Sequence, residues 1–107
     1  ARFEQLLDDY FRSGAPRREG LPTVRYFADR LFLSANYFGD LIKRETGRTA
    51  QEHIQSYVIG LAKERIYGTQ MSVSEIAYEL GFQYPQHFSR MFKKIVGRTP
   101  LEYRTQS

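Results

Sequence analysis

Cysteine is absent from the 107 residues and histidine occurs only twice, which excludes disulfide scaffolds, cysteine-rich zinc sites, iron–sulfur clusters and thiol nucleophiles. The absence of cysteine fits a cytosolic protein. No apolar run approaches the ~20 residues that a membrane span needs. The opening Ala1-Arg2-Phe3-Glu4 lacks the charged-then-apolar layout of a signal peptide, so a soluble chain with no membrane association is expected. The alternation of β-branched residues that marks strands is nearly missing as well. His53 and His87 have no partner at metal-ligand spacing, and neither a nucleophile elbow nor a glycine-rich phosphate loop occurs. No metal, no cofactor and no enzymatic activity are therefore expected.

What is present is one domain's worth of sequence with enough apolar character, 41% hydrophobic and 15% aromatic, for a modest core. Sixteen Lys and Arg stand against twelve Asp and Glu, a formal charge of +4, and their placement says more than their sum. Residues 84–98 carry Arg90, Lys93, Lys94 and Arg98 with no acid among them, whereas residues 34–48 mix Lys43, Arg44 and Arg48 with Asp40 and Glu45. A polyanionic partner is expected to be held harder by the C-terminal half.

Apolar residues recur at helical spacing almost throughout, which predicts an all-α chain of about seven helices. The first runs through Phe3, Leu6, Leu7, Tyr10 and Phe11 to Ser13-Gly14, and Ala15 to Pro22, with two prolines and a glycine, reads as a loop. Helices are then predicted after the caps Thr23 and Ser34. A long one follows Thr49, and further ones follow Ser72, Tyr84-Pro85 and Thr99. Thr49…Glu52, Ser72…Glu75 and Thr99…Glu102 have the capping-box form.

Residues 34–54 match 84–104 at a shift of fifty: Phe38 pairs with Phe88, Lys43 with Lys93, Gly47-Arg48-Thr49 with Gly97-Arg98-Thr99, and Glu52 with Glu102. Upstream the shift is forty-nine, pairing Phe27-Ala28 with Ile76-Ala77 and Leu31 with Leu80. A duplicated helix–turn–helix unit is implied, with small Ala28 and Ala77 allowing close helix approach. Gly81 stands where such a turn needs positive φ. Phe32 holds the matching place in the first unit, so that turn is expected to find a conformation a bulky residue tolerates. The division is 1–22 for an N-terminal helix and loop, 23–48 for the first unit, 49–68 for a linking helix, and 69–107 for the second unit with a C-terminal helix. Phe27, Phe38, Phe88 and Phe92 are expected in two small cores.

A linking helix over 49–67 is about 28 Å long at ~1.5 Å per residue. Allowing for the lateral offset of the packed helices, that suits two recognition helices entering major-groove segments ~34 Å apart on one face of a duplex. Asn36, Gly39 and Asp40 of the first unit, and Gln86, His87, Ser89 and Arg90 of the second, are the candidate base readers. Asn and Gln pair bidentately with adenine, Arg with guanine, and Asp accepts from cytosine N4, while Gly39 permits close approach. Ser34, Tyr37, Lys43, Arg44, Tyr84, Lys93, Lys94 and Arg98 are the candidate phosphate contacts.

About residues 23–105 resemble the DNA-binding domain of the AraC/XylS family of bacterial transcription regulators. The resemblance rests on Ser74-Glu75-Ile76-Ala77-Tyr78-Glu79-Leu80-Gly81-Phe82, on Phe88-Ser89-Arg90-Met91-Phe92-Lys93-Lys94, and on Gly97-Arg98-Thr99-Pro100-Leu101-Glu102-Tyr103-Arg104. It implies two helix–turn–helix subdomains on a long helix, sequence-specific binding of double-stranded DNA, and a cytoplasmic, nucleoid-associated location. It further implies RNA polymerase as a partner and a separate sensory or dimerisation domain. Asp40 and Val58 stand where many relatives carry arginine. The alternative is a helical protein-interaction module, in which the apolar stripe and the acidic Asp8-Asp9 of the first helix dock a partner or a sensory domain.

Overall fold

The computed structural model describes residues 2–106, which form α1 (Arg2–Arg12), α2 (Ala15–Glu19), α3 (Val24–Arg30), α4 (Ala35–Thr46), α5 (Ala50–Gly68), α6 (Val73–Glu79), α7 (Pro85–Val96) and α8 (Pro100–Gln106). The helix starts are set by local side-chain chemistry. The Thr23 and Ser34 hydroxyl oxygens accept from the Tyr26 and Tyr37 backbone N–H groups at 3.0 and 3.1 Å. At α5 the box closes reciprocally: Thr49 N–H donates to Glu52 at 2.8 Å, and Glu52 N–H donates to Thr49 Oγ1 at 3.0 Å. The same pair of bonds joins Ser72 with Glu75 and Thr99 with Glu102. The backbone bond first, and the hydroxyl second, hold all three glutamate carboxyls below their ordinary range.

An eighth helix, α2, corrects the expected loop over 15–22 at Ala15–Glu19, and residues 20–22 are irregular as expected. Pro16 lies in the first turn of α2, where its missing N–H and fixed φ favour a helix, so it acts here as a starter and not a breaker. Ala15 and Pro16 are buried, and Gly20 N–H closes the helix on the Pro16 carbonyl at 2.9 Å.

Both helix–turn–helix turns close in the same way. In the first, Phe32 N–H donates to Asp29 O at 3.1 Å and Leu33 N–H to Ala28 O at 2.9 Å. In the second, Gly81 N–H donates to Tyr78 O at 3.1 Å and Phe82 N–H to Ala77 O at 3.0 Å. This is the Schellman pattern, which requires a left-handed residue just past the helix end. Gly81 supplies it with φ 104°, and Phe32 supplies it with φ 59°. The expectation of a different, more tolerant turn at Phe32 is thus corrected. The first turn keeps the geometry that glycine usually serves, at a strain of about 1–2 kcal/mol.

The expected two small cores are one continuous cluster. Phe27, Phe38, Phe88 and Phe92 are all buried, and α5 runs between them with Ile54, Val58, Ile59, Ala62 and Ile66 inward. Ala28 and Ala77 have no exposed surface, which lets α3 and α6 lie close to their neighbours. Arg65 on α5 pairs with Glu79 on α6, and Arg104 on α8 donates from Nε to the Ile66 carbonyl at 2.9 Å. The α1 stripe of Phe3, Leu7 and Tyr10 is itself in this core, with the Phe3 ring edge-on to Phe27 and Phe38 at 5.3 and 5.1 Å. The apolar face that motivated a partner-docking α1 is therefore covered by the chain's own side chains. Within the described residues no helix is long and apolar enough to cross a membrane.

Candidate nucleic-acid interface

The repeat in sequence becomes a repeat in exposure. Along α4, Asn36, Tyr37, Asp40, Lys43 and Arg44 are exposed, Gly39 and Leu41 are half-buried, and Phe38 and Ile42 are buried. Along α7, Gln86, His87, Arg90, Lys93 and Lys94 are exposed, Ser89 and Met91 are half-buried, and Phe88 and Phe92 are buried. Each helix thus anchors an aromatic at its fourth residue and turns the same flanking positions outward. The expected base readers fall on these two matching faces, Gly39 and Ser89 at their inner edges.

The N-terminus of each helix is built differently. Ser34 caps α4 with its hydroxyl oxygen, whereas Tyr84 precedes α7 without a side-chain cap and Pro85 occupies the first helical position. Tyr37 and Tyr84 are exposed, and the Tyr84 ring meets His87 edge-on at 5.4 Å.

Charge separates the two faces. Among the described residues Arg90, Lys93, Lys94 and Arg98 enter no hydrogen bond or ion pair, and no acid stands among residues 84–98, so the second unit presents four cations on a stretch free of carboxylates. In the first unit Lys43 and Arg44 share the face with Asp40. Arg48, the counterpart of Arg98, is held by the Ser56 hydroxyl at 2.5 Å. Lys43 and Arg48 lie close enough to Glu52, and Lys93 and Arg98 to Glu102, to help hold those carboxyls ionised.

Gln55 was not singled out in the sequence. It is half-buried on α5 and, with His87, Arg90, Met91, Lys94 and Ile95 of α7, lines a shallow open cleft beside the second reading face. Nothing in its neighbours along the chain marks it, because only the packing of α5 on α7 brings it there. His53 serves the interior instead: its ring nitrogen lies 2.9 Å from Thr46 Oγ1, and its ring packs edge-on to Phe3 at 5.9 Å. Within the described residues no three of His, Cys, Asp and Glu gather as a metal site.

A family model described as "Helix-turn-helix domain" matches residues 27–106. The uncharacterized HTH-type transcriptional regulator YtdP of Bacillus subtilis (strain 168) is 33% identical over 106 residues, covering 99% of this chain and 14% of that protein. The uncharacterized transcriptional regulatory protein YesN of the same organism is 41% identical over 78 residues, 71% of this chain and 21% of that protein. The chain therefore spans a small part of the length of the curated relatives it matches. Among solved structures, the DNA-binding domain of AdpA, a global transcriptional factor in complex with a target DNA, superposes with a TM-score of 0.81 at 19% identity, over 97% of this chain and 90% of that one. That likeness shows a shared fold.

Proposed function

The chain belongs to the helix-turn-helix domain family and is related to AraC/XylS-type bacterial transcriptional regulators, and on that premise we propose that it reads one asymmetric DNA site with two unequal units. In this reading residues 23–48 and 69–107 are the reading units and 49–68 their link. Asn36, Gly39 and Asp40 face bases in one major-groove segment, and Gln86, His87, Ser89 and Arg90 face bases in the next. Ser34, Tyr37, Lys43, Arg44, Tyr84, Lys93, Lys94 and Arg98 hold phosphates. The second unit supplies more of the affinity. The domain acts by binding, with no catalytic step.

One observation carries this reading: the exposed and buried positions of α4 from Ala35 to Glu45 recur on α7 from Pro85 to Ile95. Further support comes from the 42 Å long axis, which accommodates two reading helices ~34 Å apart. The structure solved with AdpA on its target DNA is that of a protein of this fold bound to DNA. The small share of its relatives that the chain covers supports a place within a longer regulator, in which a sensory or dimerisation domain governs binding and RNA polymerase is the eventual partner.

Selection of the purified domain on random duplexes about three helical turns long tests both the function and its geometry. Two enriched blocks about one turn apart are expected, with affinity falling steeply as salt rises. A single block would leave the first unit passive on DNA. Binding without enrichment and without salt dependence would overturn the DNA-reading function.

A further inference from the structure

The α5 helix is not the only connection between the two units. The second one begins at Tyr10 on α1, whose ring is buried against the first unit, 5.1 Å from the Tyr26 ring and 6.3 Å from that of Phe27. Its hydroxyl reaches the other way, donating to the Gly20 carbonyl at 2.7 Å. Gly20 in turn lies against the turn of the second unit. A methyl group placed on Gly81 would stand 2.8 Å from the Gly20 carbonyl carbon and 2.9 Å from the Leu21 nitrogen, closer than side-chain carbons approach a backbone. The path from Phe27 through Tyr10 and Gly20 to Gly81 thus joins the core of one unit to the turn of the other. It bypasses the linking helix altogether.

The hairpin that carries this path is itself braced. Ser13 Oγ donates to the Tyr10 carbonyl at 2.7 Å and accepts from Ala15 N–H at 3.2 Å, which fixes the bend between α1 and α2. On the other side of α1, Tyr57 of α5 donates to Asp8 at 2.7 Å. With α5 on one side and the hairpin on the other, the two units are joined at two separated places, and two joints resist rotation where one permits it.

Resting on the double-reader function proposed above, we infer that the α1–α2 hairpin is a spacing gauge: through the Tyr10–Gly20–Gly81 contact it fixes how far apart, and at what relative turn, the two reading helices meet DNA. Tyr10 is a positioning residue in this scheme. It touches no DNA, and it acts by excluding duplexes whose two blocks are one base pair too close or too far.

The test compares wild type, Tyr10→Phe and Tyr57→Phe on the selected duplex and on duplexes with one base pair added or removed between the blocks. Tyr10→Phe keeps the ring and loses only the hydroxyl that holds Gly20. It is expected to retain its affinity for each isolated block, while the penalty for altered spacing shrinks by about three- to tenfold, the scale of one net hydrogen bond. Tyr57→Phe, which loosens α1 from α5 without touching the path to Gly81, is expected to keep the wild-type penalty. A sharp wild-type optimum left unchanged by Tyr10→Phe overturns the gauge alone. An equal relaxation by both variants also overturns it, since loss of the Gly20 bond would then be nothing special. A wild type with no spacing optimum overturns the gauge together with the double-reader function.

Discussion

The first and second helix–turn–helix units share a backbone and differ in nearly everything laid upon it. Both close their turns with the same two hydrogen bonds, yet one turn holds Gly81 and the other Phe32, whose side chain is 95% exposed. The reason lies outside each unit. The second turn is pressed by the backbone of Gly20 and Leu21, where a β-carbon has no room, whereas the first turn faces solvent and accepts a phenyl ring at the cost of backbone strain alone. The reading faces diverge in the same manner, with Arg90 opposite Asp40, and with Arg98, which makes no hydrogen bond, opposite an Arg48 held by Ser56. A duplicated scaffold therefore keeps its turns and buried positions, and its exposed positions are free to take different tasks.

The largest expected effect is at the turns. Gly81→Ala forces a side chain into a left-handed backbone and into the Gly20 carbonyl, and it should destabilise the domain by about 2–5 kcal/mol, read as a fall in the urea midpoint. The matching change in the first unit has the opposite sign. Phe32→Gly relieves about 1–2 kcal/mol of strain against about 0.4–1 kcal/mol of added unfolded-chain entropy, so the midpoint should rise slightly. A fall would mean that the exposed ring contributes to folding.

On DNA, Arg90→Ala should cost about 1–3 kcal/mol and relax preference at one base pair of the second block. Asp40→Ala should behave differently: weaker binding to the selected duplex, with lost preference at one position, but slightly tighter binding to random duplex because a charge that repels phosphate is gone. Equal losses on random and selected DNA for Arg90→Ala would break the distinction between reader and anchor. Among the anchors, Lys93→Ala should flatten the salt slope by about 0.9, one phosphate's worth. Lys43→Ala, beside Asp40, should flatten it by less.

The gentlest probe is pH. The starts of α6 and α8 depend on Glu75 and Glu102, and that of α5 on Glu52, whereas α3 and α4 are capped by hydroxyls alone. Because these carboxyls are held below their ordinary range, their stabilisation is present above that range and is lost as pH falls through the lowered values. Amide protection should therefore decline in α6 and α8 before α3 and α4 as pH is lowered. In alkali a different contact gives way. Burial, then the bond to Asp8, pushes the Tyr57 hydroxyl up to about 12, so its contribution holds below the ordinary 10.0 and is lost as pH rises through about 12, freeing α1 from α5 first.

The starts of every helix but α2, the internal repeat, the aromatic anchors Phe38 and Phe88, and the two outward faces were legible in the amino-acid sequence. The repeat is a likeness of residue types that needs no contact to be read, and the others depend on residues within about one or two helical turns of one another, since capping and amphipathic spacing are local chemistry. The loop expected at 15–22 holds only over 20–22, because a proline such as Pro16 serves a helix start as well as a break, and burial of Ala15 and Pro16 decides between the two. Only the tertiary structure placed Phe32 in a left-handed conformation, set Gln55 beside the second reading face, covered the stripe of α1, and carried the Tyr10 hydroxyl to Gly20 against the turn of the second unit. Such features join residues ten to sixty positions apart or depend on what another element leaves uncovered. Periodicity carries no record of either.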